Sequence, residues 1–381
     1  MVNLNLKTIK RFLSPEIKKE KKSVLNKVLL VLSNASQDIA VNQACKKTEL
    51  YACSKEILNE FKKYSLIEIE LLFFQMFISM LKFYLKSLDI RALKLAIDIT
   101  KVPYYGKLDN PFISSVIPDG VHGATGSYQY LTISCINTNC KLILGNFLVR
   151  PETNIAELIP KVLDEISKIK PIKIVLLDRG FTDLKLAYNL LKRKLKFIIF
   201  WRKNGTWHEK IYDLMKNEEI KYVELEREIY LWPELQTIKF QCPFIFVKKY
   251  KYEKDTKAYD WLFCSNAHFD EIGHCIASYK ERWGIETIFR VIKQEFMIKT
   301  TSKHQSVRLF EICFAMFFYN LWQCARFLIL LKFLPNDKKK RGEICANMFM
   351  ETLRFALKEK YNLKCEYEKE IIDFIWSTNL F

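Results

Sequence analysis

Hydrophobic and polar positions change their period several times along the chain, and each change marks a boundary. Over residues 1–90 apolar side chains recur at three- and four-residue spacing, most clearly from Ile57 to Leu88, which predicts helices. From Ala92 the period shortens. Leu93, Leu95 and Ile97 alternate with Lys94 and Ala96 and run into Asp98, a strand that closes on an acid. A loop rich in Pro, Gly and Asn follows, from Pro103 to Gly126. Tyr128 to Ile136 and Lys141 to Val149 are strand-like, and the Asn137-Thr138-Asn139 break between them predicts a hairpin. Ala156 to Ile169 returns to helical spacing. Pro171 leads into a short apolar strand, Ile172 to Leu177, which ends at Asp178-Arg179-Gly180. Thr182 or Asp183 can cap a helix that runs to about Arg193, and Phe197 to Trp201 is one more buried strand.

This order of strands and helices predicts an α/β mixed sheet flanked by helices. The stretch 203–258 does not continue the alternation: it is charged, holds Trp207 and Trp232, and turns strand-like from Ile220 to Tyr252. It reads as a β-rich insertion. Tyr259 to Ser265 then predicts a strand that returns to the main sheet, followed by one long helix from about Asp270 to Phe296 and helices beyond Ser306. The chain thus divides into a helical region 1–90, a core in two parts at 91–202 and 259–300, the insertion between them, and a helical region 301–381.

Composition narrows the partners. Sixty-one Lys and Arg stand against 43 Asp and Glu, a net charge of +18, on a chain whose residues are 50% hydrophobic. The apolar half excludes a disordered tail. The surplus cation points to a polyanion, with a phosphate backbone the better match than a membrane surface. Many of these cations crowd the N-terminus, where Lys7, Lys10, Arg11, Lys18, Lys19, Lys21, Lys22 and Lys27 suit a DNA-binding region and, taken alone, equally a solvated helix face. The two most apolar stretches, Leu66 to Leu88 and Leu309 to Leu334, are broken by charged residues, short of the roughly 18 uncharged residues a span needs. Eleven scattered cysteines without a Cys-x-x-Cys pair suit reduced thiols in a cytoplasm, and five dispersed histidines argue against a structural zinc.

The chemistry rests on acids in apolar surroundings. Asp is disfavoured in strands, yet Asp98 and Asp178 each close one. Two carboxylates at neighbouring strand ends repel unless a cation sits between them, and a hard divalent metal suits oxygen ligands. On the long helix, at about 100° per residue, Tyr279, Arg282, Glu286, Arg290 and Lys293 share roughly a quarter of the circumference. Taken alone, that stripe equally suits a solvated face in which Glu286 pairs with Arg282 or Arg290.

Tyr279-x-x-Arg282-x-x-x-Glu286-x-x-x-x-x-x-Lys293 resembles the Tyr-Arg-Glu-Lys signature of insertion-sequence DDE transposases of the IS-four-like superfamily. The Asp98-Ile-Thr-Lys-Val-Pro-Tyr-Tyr-Gly106 segment and the strand around Asp178-Arg-Gly-Phe181 resemble the surroundings of the first two acids of that family, with the first closest to archaeal elements. A β-rich insertion between the second Asp and the Glu is also a family trait. The resemblance covers roughly residues 90–300.

The resemblance implies an RNase H-like fold and a catalytic triad of Asp98, Asp178 and Glu286 that holds two Mg²⁺, with Mn²⁺ as substitute and no small-molecule cofactor. It implies hydrolysis at transposon ends, joining of the freed 3′-OH to target DNA, and a homodimer synapsed on DNA. Arg282, Lys293, Arg290 and Arg179 would meet phosphates, Tyr279 the backbone near the cut, and Trp207 or Trp232 a flipped base. An RNase H-like nuclease without strand transfer, or a non-catalytic DNA-binding protein derived from a transposase, would share parts of this pattern.

Overall fold

The computed structural model describes residues 31–36, 39–47, 53–87, 89–118, 120–138, 140–202, 220–231, 235–250, 257–269, 272–300, 302–333 and 345–359. The basic segment before residue 31, Trp207 and Trp232 lie outside them.

Eight strands form one mixed sheet: β1 (Leu93–Tyr104), β2 (Gly126–Asn137), β3 (Cys140–Leu148), β4 (Ile172–Leu177), β5 (Phe197–Phe200), β6 (Ile220–Leu231), β7 (Gln236–Tyr250) and β8 (Tyr259–Ser265). Their spatial order is β3-β2-β1-β4-β5-β8-β7-β6. The first three run antiparallel, while β4 and β5 pair parallel to β1 and to each other. This is the RNase H-like arrangement. The β2–β3 hairpin forms where Asn137-Thr138-Asn139 predicts it. β8 returns beside β5, and the β6–β7 pair joins the same sheet through β8.

One strand differs from its expected extent. β1 does not end at Asp98; it runs on through Pro103 to Tyr104. The strand continues because β2 keeps pairing with it from Leu95 as far as Tyr104, supplying partners that the local Pro and Gly composition does not reveal. What ends at this level is β4, whose last pair is Ile97 with Leu177.

The predicted helix from Ile57 to Leu88 is two: α2 (Cys53–Lys62) and α3 (Leu66–Ser87), preceded by α1 (Val41–Lys47). Ser65 starts α3 in a capping box. Its Oγ accepts from the Glu68 backbone N, and Glu68 Oε2 accepts from the Ser65 N at 2.8 Å. α4 (Ile155–Ser167) and α5 (Leu184–Lys192) pack on each other, and α5 also meets β6 and β7. Asp183 is the cap of α5, its Oδ1 accepting from the Lys185 and Leu186 amides, whereas the Thr182 hydroxyl turns back to the Arg179 carbonyl.

Helix α8 (Gln305–Phe333) runs through the middle of the protein. It is apolar on nearly every side, and residues 306–322 are buried without a break, as expected of a helix that is covered all round. Phe310 and Phe314 stack with Phe61 and meet Phe73 edge-on, and Phe327 stacks on Tyr84 at 4.4 Å. Among the described residues, no helix is long and apolar enough to cross a membrane. A final helix, α9 (Ala346–Glu359), is fixed through Arg354, which donates to the Ser33 carbonyl.

Polar residues on α8 key it to the sheet. Asn320, fully buried, accepts from the Ile143 amide and donates to the Ile143 carbonyl, both at 2.8 Å. Those are main-chain groups of β3, the strand at the sheet's edge. Asn320→Ala should therefore destabilise the fold by about 2–4 kcal/mol, because two backbone groups lose their partners in a dry interface. Urea unfolding measures this, and a loss below about 0.5 kcal/mol would show the amide to be dispensable.

Candidate active site

Three carboxylates reach one place from three elements. Asp98 lies mid-way along β1, and the pairing of Ile97 with Leu177 brings it level with Asp178, the first residue beyond β4. Asp178 does not drift into solvent, because it caps the tight turn Arg179–Phe181: its Oδ1 accepts from the Gly180 N at 2.8 Å while Phe181 anchors the turn in the core.

The third carboxylate depends on a break that the sequence reading treated as continuous helix. Instead of one helix from Asp270 to Phe296 there are α6 (Ile272–Lys280), a tight turn at Glu281 and Arg282, α7 (Trp283–Val291), and a π-helical turn over Ile292–Phe296. Between Tyr279 and Ile285 the backbone closes i to i+3, with Arg282 N to Tyr279 O at 3.0 Å and Ile285 N to Arg282 O at 2.9 Å. Lys94 pins this turn, donating to both Glu281 carboxylate oxygens at 2.7 and 2.6 Å. Lys94 and Asp98 share a face of β1 by the two-residue period of a strand, so the Lys94 contact sets the turn above Asp98. Gly284 lets α7 come close to β2, since a Cβ there would stand 3.2 Å from Ile136.

A tightened turn before α7 and a widened one after it put the residues of the predicted stripe in two environments. Tyr279 and Arg282 are buried, while Glu286, Arg290 and Lys293 are exposed. Tyr279 packs against Phe200, Phe263 and Trp261. Arg282 goes to the acids: its Nη2 donates to Glu286 Oε1 at 2.6 Å and its Nη1 lies 3.5 Å from Asp98 Oδ2. Lys293 sits on the π turn. Desolvation lowers the pKa of its ammonium, and the charge of Asp98 opposes that shift. Arg179 is exposed and lies with its guanidinium 5.0 Å from the Phe200 ring.

Electrostatics single out Asp98. Burial pushes its carboxyl up to about 6; Asp178 and Glu286 push the same way, while Arg282 and the Ile99 amide hold it down. Beside the acids opens a cleft of about 950 Å³, lined by Asp178 and Glu286 together with Phe200, Trp261 and Trp283. Arg179, Arg202 and Lys280 bring positive charge to its lining. Trp283, 64% exposed, and the Lys94–Glu281 pin escaped the sequence reading. Lys94 carried a usable signal, as the one cation in the apolar run before Asp98 and in step with that acid on one face of the strand.

The donor set suits a hard divalent cation, being carboxylate oxygen throughout. Yet among the described residues no group of three or more His, Cys, Asp or Glu is close enough to hold a metal ion. Asp98 and Glu286 are joined through the Arg282 guanidinium, with Asp178 beside Asp98.

The profile of the transposase DDE domain matches residues 92–321. The chain belongs to the DDE transposase family. The matched segment begins at β1 and ends within α8, so it takes in all three acids and the sheet that places them. No curated relative matches this sequence. Among solved structures, it is similar to the piggyBac transposase in a cryo-EM synaptic complex with hairpin DNA, at 18% identity and a TM-score of 0.45. The match covers 77% of this chain and 58% of that one, so the chain spans less than two thirds of that protein's length.

A carboxyl raised by burial and like charge is protonated more readily folded than unfolded. Its contribution to stability is therefore full at low pH and is lost as pH rises from 3.8 to about 6. Carboxyl NMR of the metal-free protein should show Asp98 titrating near 6, and Arg282→Gln should move that midpoint higher. A midpoint at or below 3.8 would mean that Asp98 is not crowded by its neighbours.

Proposed function

We propose that this chain is a DNA transposase that cleaves the ends of its own element and joins the freed 3′-OH to target DNA. The observation that carries the reading is the gathering of Asp178 and Glu286, from the end of β4 and from α7, about Asp98 on β1, with Arg282 bridging Asp98 and Glu286. Asp98 gains nothing for folding from such neighbours, so their assembly is a feature of the reaction. The spacing of Tyr279, Arg282, Glu286 and Lys293 favours the IS-four-like group, with its Tyr-Arg-Glu-Lys signature.

The three carboxylates would hold two Mg²⁺ or Mn²⁺ ions, with Glu286 released from Arg282. Bound there, the ions supply Lewis-acid activation of the attacking hydroxyl and charge stabilisation at the leaving oxygen. The residues do the positioning. Water attacks first, breaking a P–O bond at the element end and leaving a 3′-OH; that hydroxyl then attacks a second phosphodiester, expelling another 3′ oxygen, so the number of phosphodiester bonds is conserved in the joining step. Arg290, Lys293 and Arg179, exposed around the acids, grip the flanking phosphates, and Arg282 can do so bidentately. Tyr279 supports the site from below, and the cleft aromatics Trp261 and Trp283 join Trp207 and Trp232 as stacking surfaces for an unpaired base. Synapsis of two ends calls for a homodimer on DNA, in a cytoplasmic setting.

Asp98→Ala, Asp178→Ala and Glu286→Ala should each cut end cleavage in Mg²⁺ at least about a hundredfold, with DNA retention on a filter unchanged. The substrate is the DNA flanking the coding sequence. Persistent cleavage by all three variants refutes the assignment. Cleavage without joining of a pre-cut end to a second duplex identifies a nuclease instead.

A further inference from the structure

We propose that Arg282 is an internal counter-ion that occupies the place of the divalent cation and leaves it only when a DNA phosphate draws the guanidinium away, so that DNA and metal bind cooperatively. This inference rests on the reading of Asp98, Asp178 and Glu286 as the metal ligands.

Four observations converge on it. Arg282 bridges two of the three acids, with Nη2 2.6 Å from Glu286 Oε1 and Nη1 3.5 Å from Asp98 Oδ2. Among the described residues no three acids are close enough to share a metal ion while the guanidinium stands between Asp98 and Glu286. The bridge is incomplete as a structural device: Arg282 Nε is buried without a hydrogen-bond partner, an unmet cost that a purely structural arginine in a pocket 7% exposed would be expected to avoid. And the exit is open. Glu286 is 43% exposed and can turn, while Arg282 lines the cleft of about 950 Å³ that also receives Asp178.

The physics of the exchange is simple. Without a cation, three carboxylates in a half-dry site repel, and Arg282 offsets that repulsion. A divalent cation offers the same oxygens twice the charge but must first expel a guanidinium that has nowhere better to go. A phosphate oxygen pair is that better place, because the guanidinium fork matches it in two parallel bonds. Each ligand thus removes the obstacle to the other. By linkage, DNA must raise metal affinity by the factor by which metal raises DNA affinity. In the cell this keeps the hydrolytic site unloaded until DNA is in place.

The test uses the full-length protein and Mn²⁺ itself, with affinity read by calorimetry and by the Mn²⁺ paramagnetic resonance signal. A short duplex of arbitrary sequence should tighten Mn²⁺ binding to the wild type about tenfold, and Arg282→Gln should bind Mn²⁺ about tenfold more tightly without any DNA, within the usual range of coupled ligands. In that variant the duplex should add little. A bracing role predicts the opposite: Arg282→Gln binding Mn²⁺ as weakly as wild type, or more weakly, overturns the inference, as does a wild type indifferent to the duplex. Asp98→Asn separates the two claims. If it keeps wild-type Mn²⁺ affinity, the metal site itself is misplaced; if it loses Mn²⁺ while Arg282→Gln fails to tighten it, only the counter-ion inference falls. Should Arg282→Gln unfold without metal, recovery of its thermal transition in Mn²⁺ supports the exchange. Without recovery, Arg282→Lys decides: a single ammonium cannot bridge both acids, so tighter Mn²⁺ binding supports the proposal and unchanged or weaker binding refutes it.

Discussion

Mutual repulsion of three carboxylates is the constraint around which this protein is organised. Asp98 and Asp178 are held at one level by the parallel pairing of β1 with β4, and Glu286 is brought over them by α7. Nothing in hydrophobic packing favours that encounter, and burial makes it worse by raising the cost of each charge. The arrangement persists because a guanidinium stands among the acids and because their backbones are fixed by elements that cannot yield. Asp178 is tied into its capping turn, Asp98 belongs to a strand bonded on both sides, and the turn before α7 is pinned by Lys94.

The rest of the fold supplies that rigidity. An eight-stranded sheet gives β1 neighbours on both edges, and the buried helix α8 backs it, with α3 packed on β3. Glu70 shows how closely these layers are joined: from α3 it accepts from the Leu148 amide of β3 and pairs with Arg150 at 2.7 Å. Strain that would relax in a looser scaffold is thus concentrated where it is useful, in a carboxylate cluster ready for a stronger cation.

Much of this was legible in the sequence, and the failures have identifiable causes. The strands around Asp98 and Asp178 announce themselves by apolar runs that end in, or pass through, an acid, because only a strong tertiary reason puts Asp there. The hairpin and the order of elements follow from turn residues and period. By contrast, the extent of β1 depended on β2, which lies more than twenty residues away in the chain and overrides the local Pro103. The break at Glu281 was invisible because Lys280-Glu281-Arg282 are good helix formers; the turn is imposed by Lys94 from another element. The split between α2 and α3 was missed for a different reason. Ser65-x-x-Glu68 is a capping box in plain view, but Tyr64 and Leu66 carried the apolar spacing across it. Arg282 and Glu286 were placed together by helix spacing alone. That Arg282 turns inward to Asp98 required the fold.

The central claim is that these acids form one cation site that Arg282 fills in the absence of metal. Diffraction from crystals of the protein soaked in Mn²⁺ with and without a DNA duplex, measured at the manganese edge, tests it most directly. The account predicts an anomalous peak shared by Asp98 and Asp178 in the presence of DNA, with the Arg282 guanidinium withdrawn from Glu286 and resting on a phosphate. A manganese peak elsewhere, or one at the acids while Arg282 still bridges Asp98 and Glu286, would contradict it.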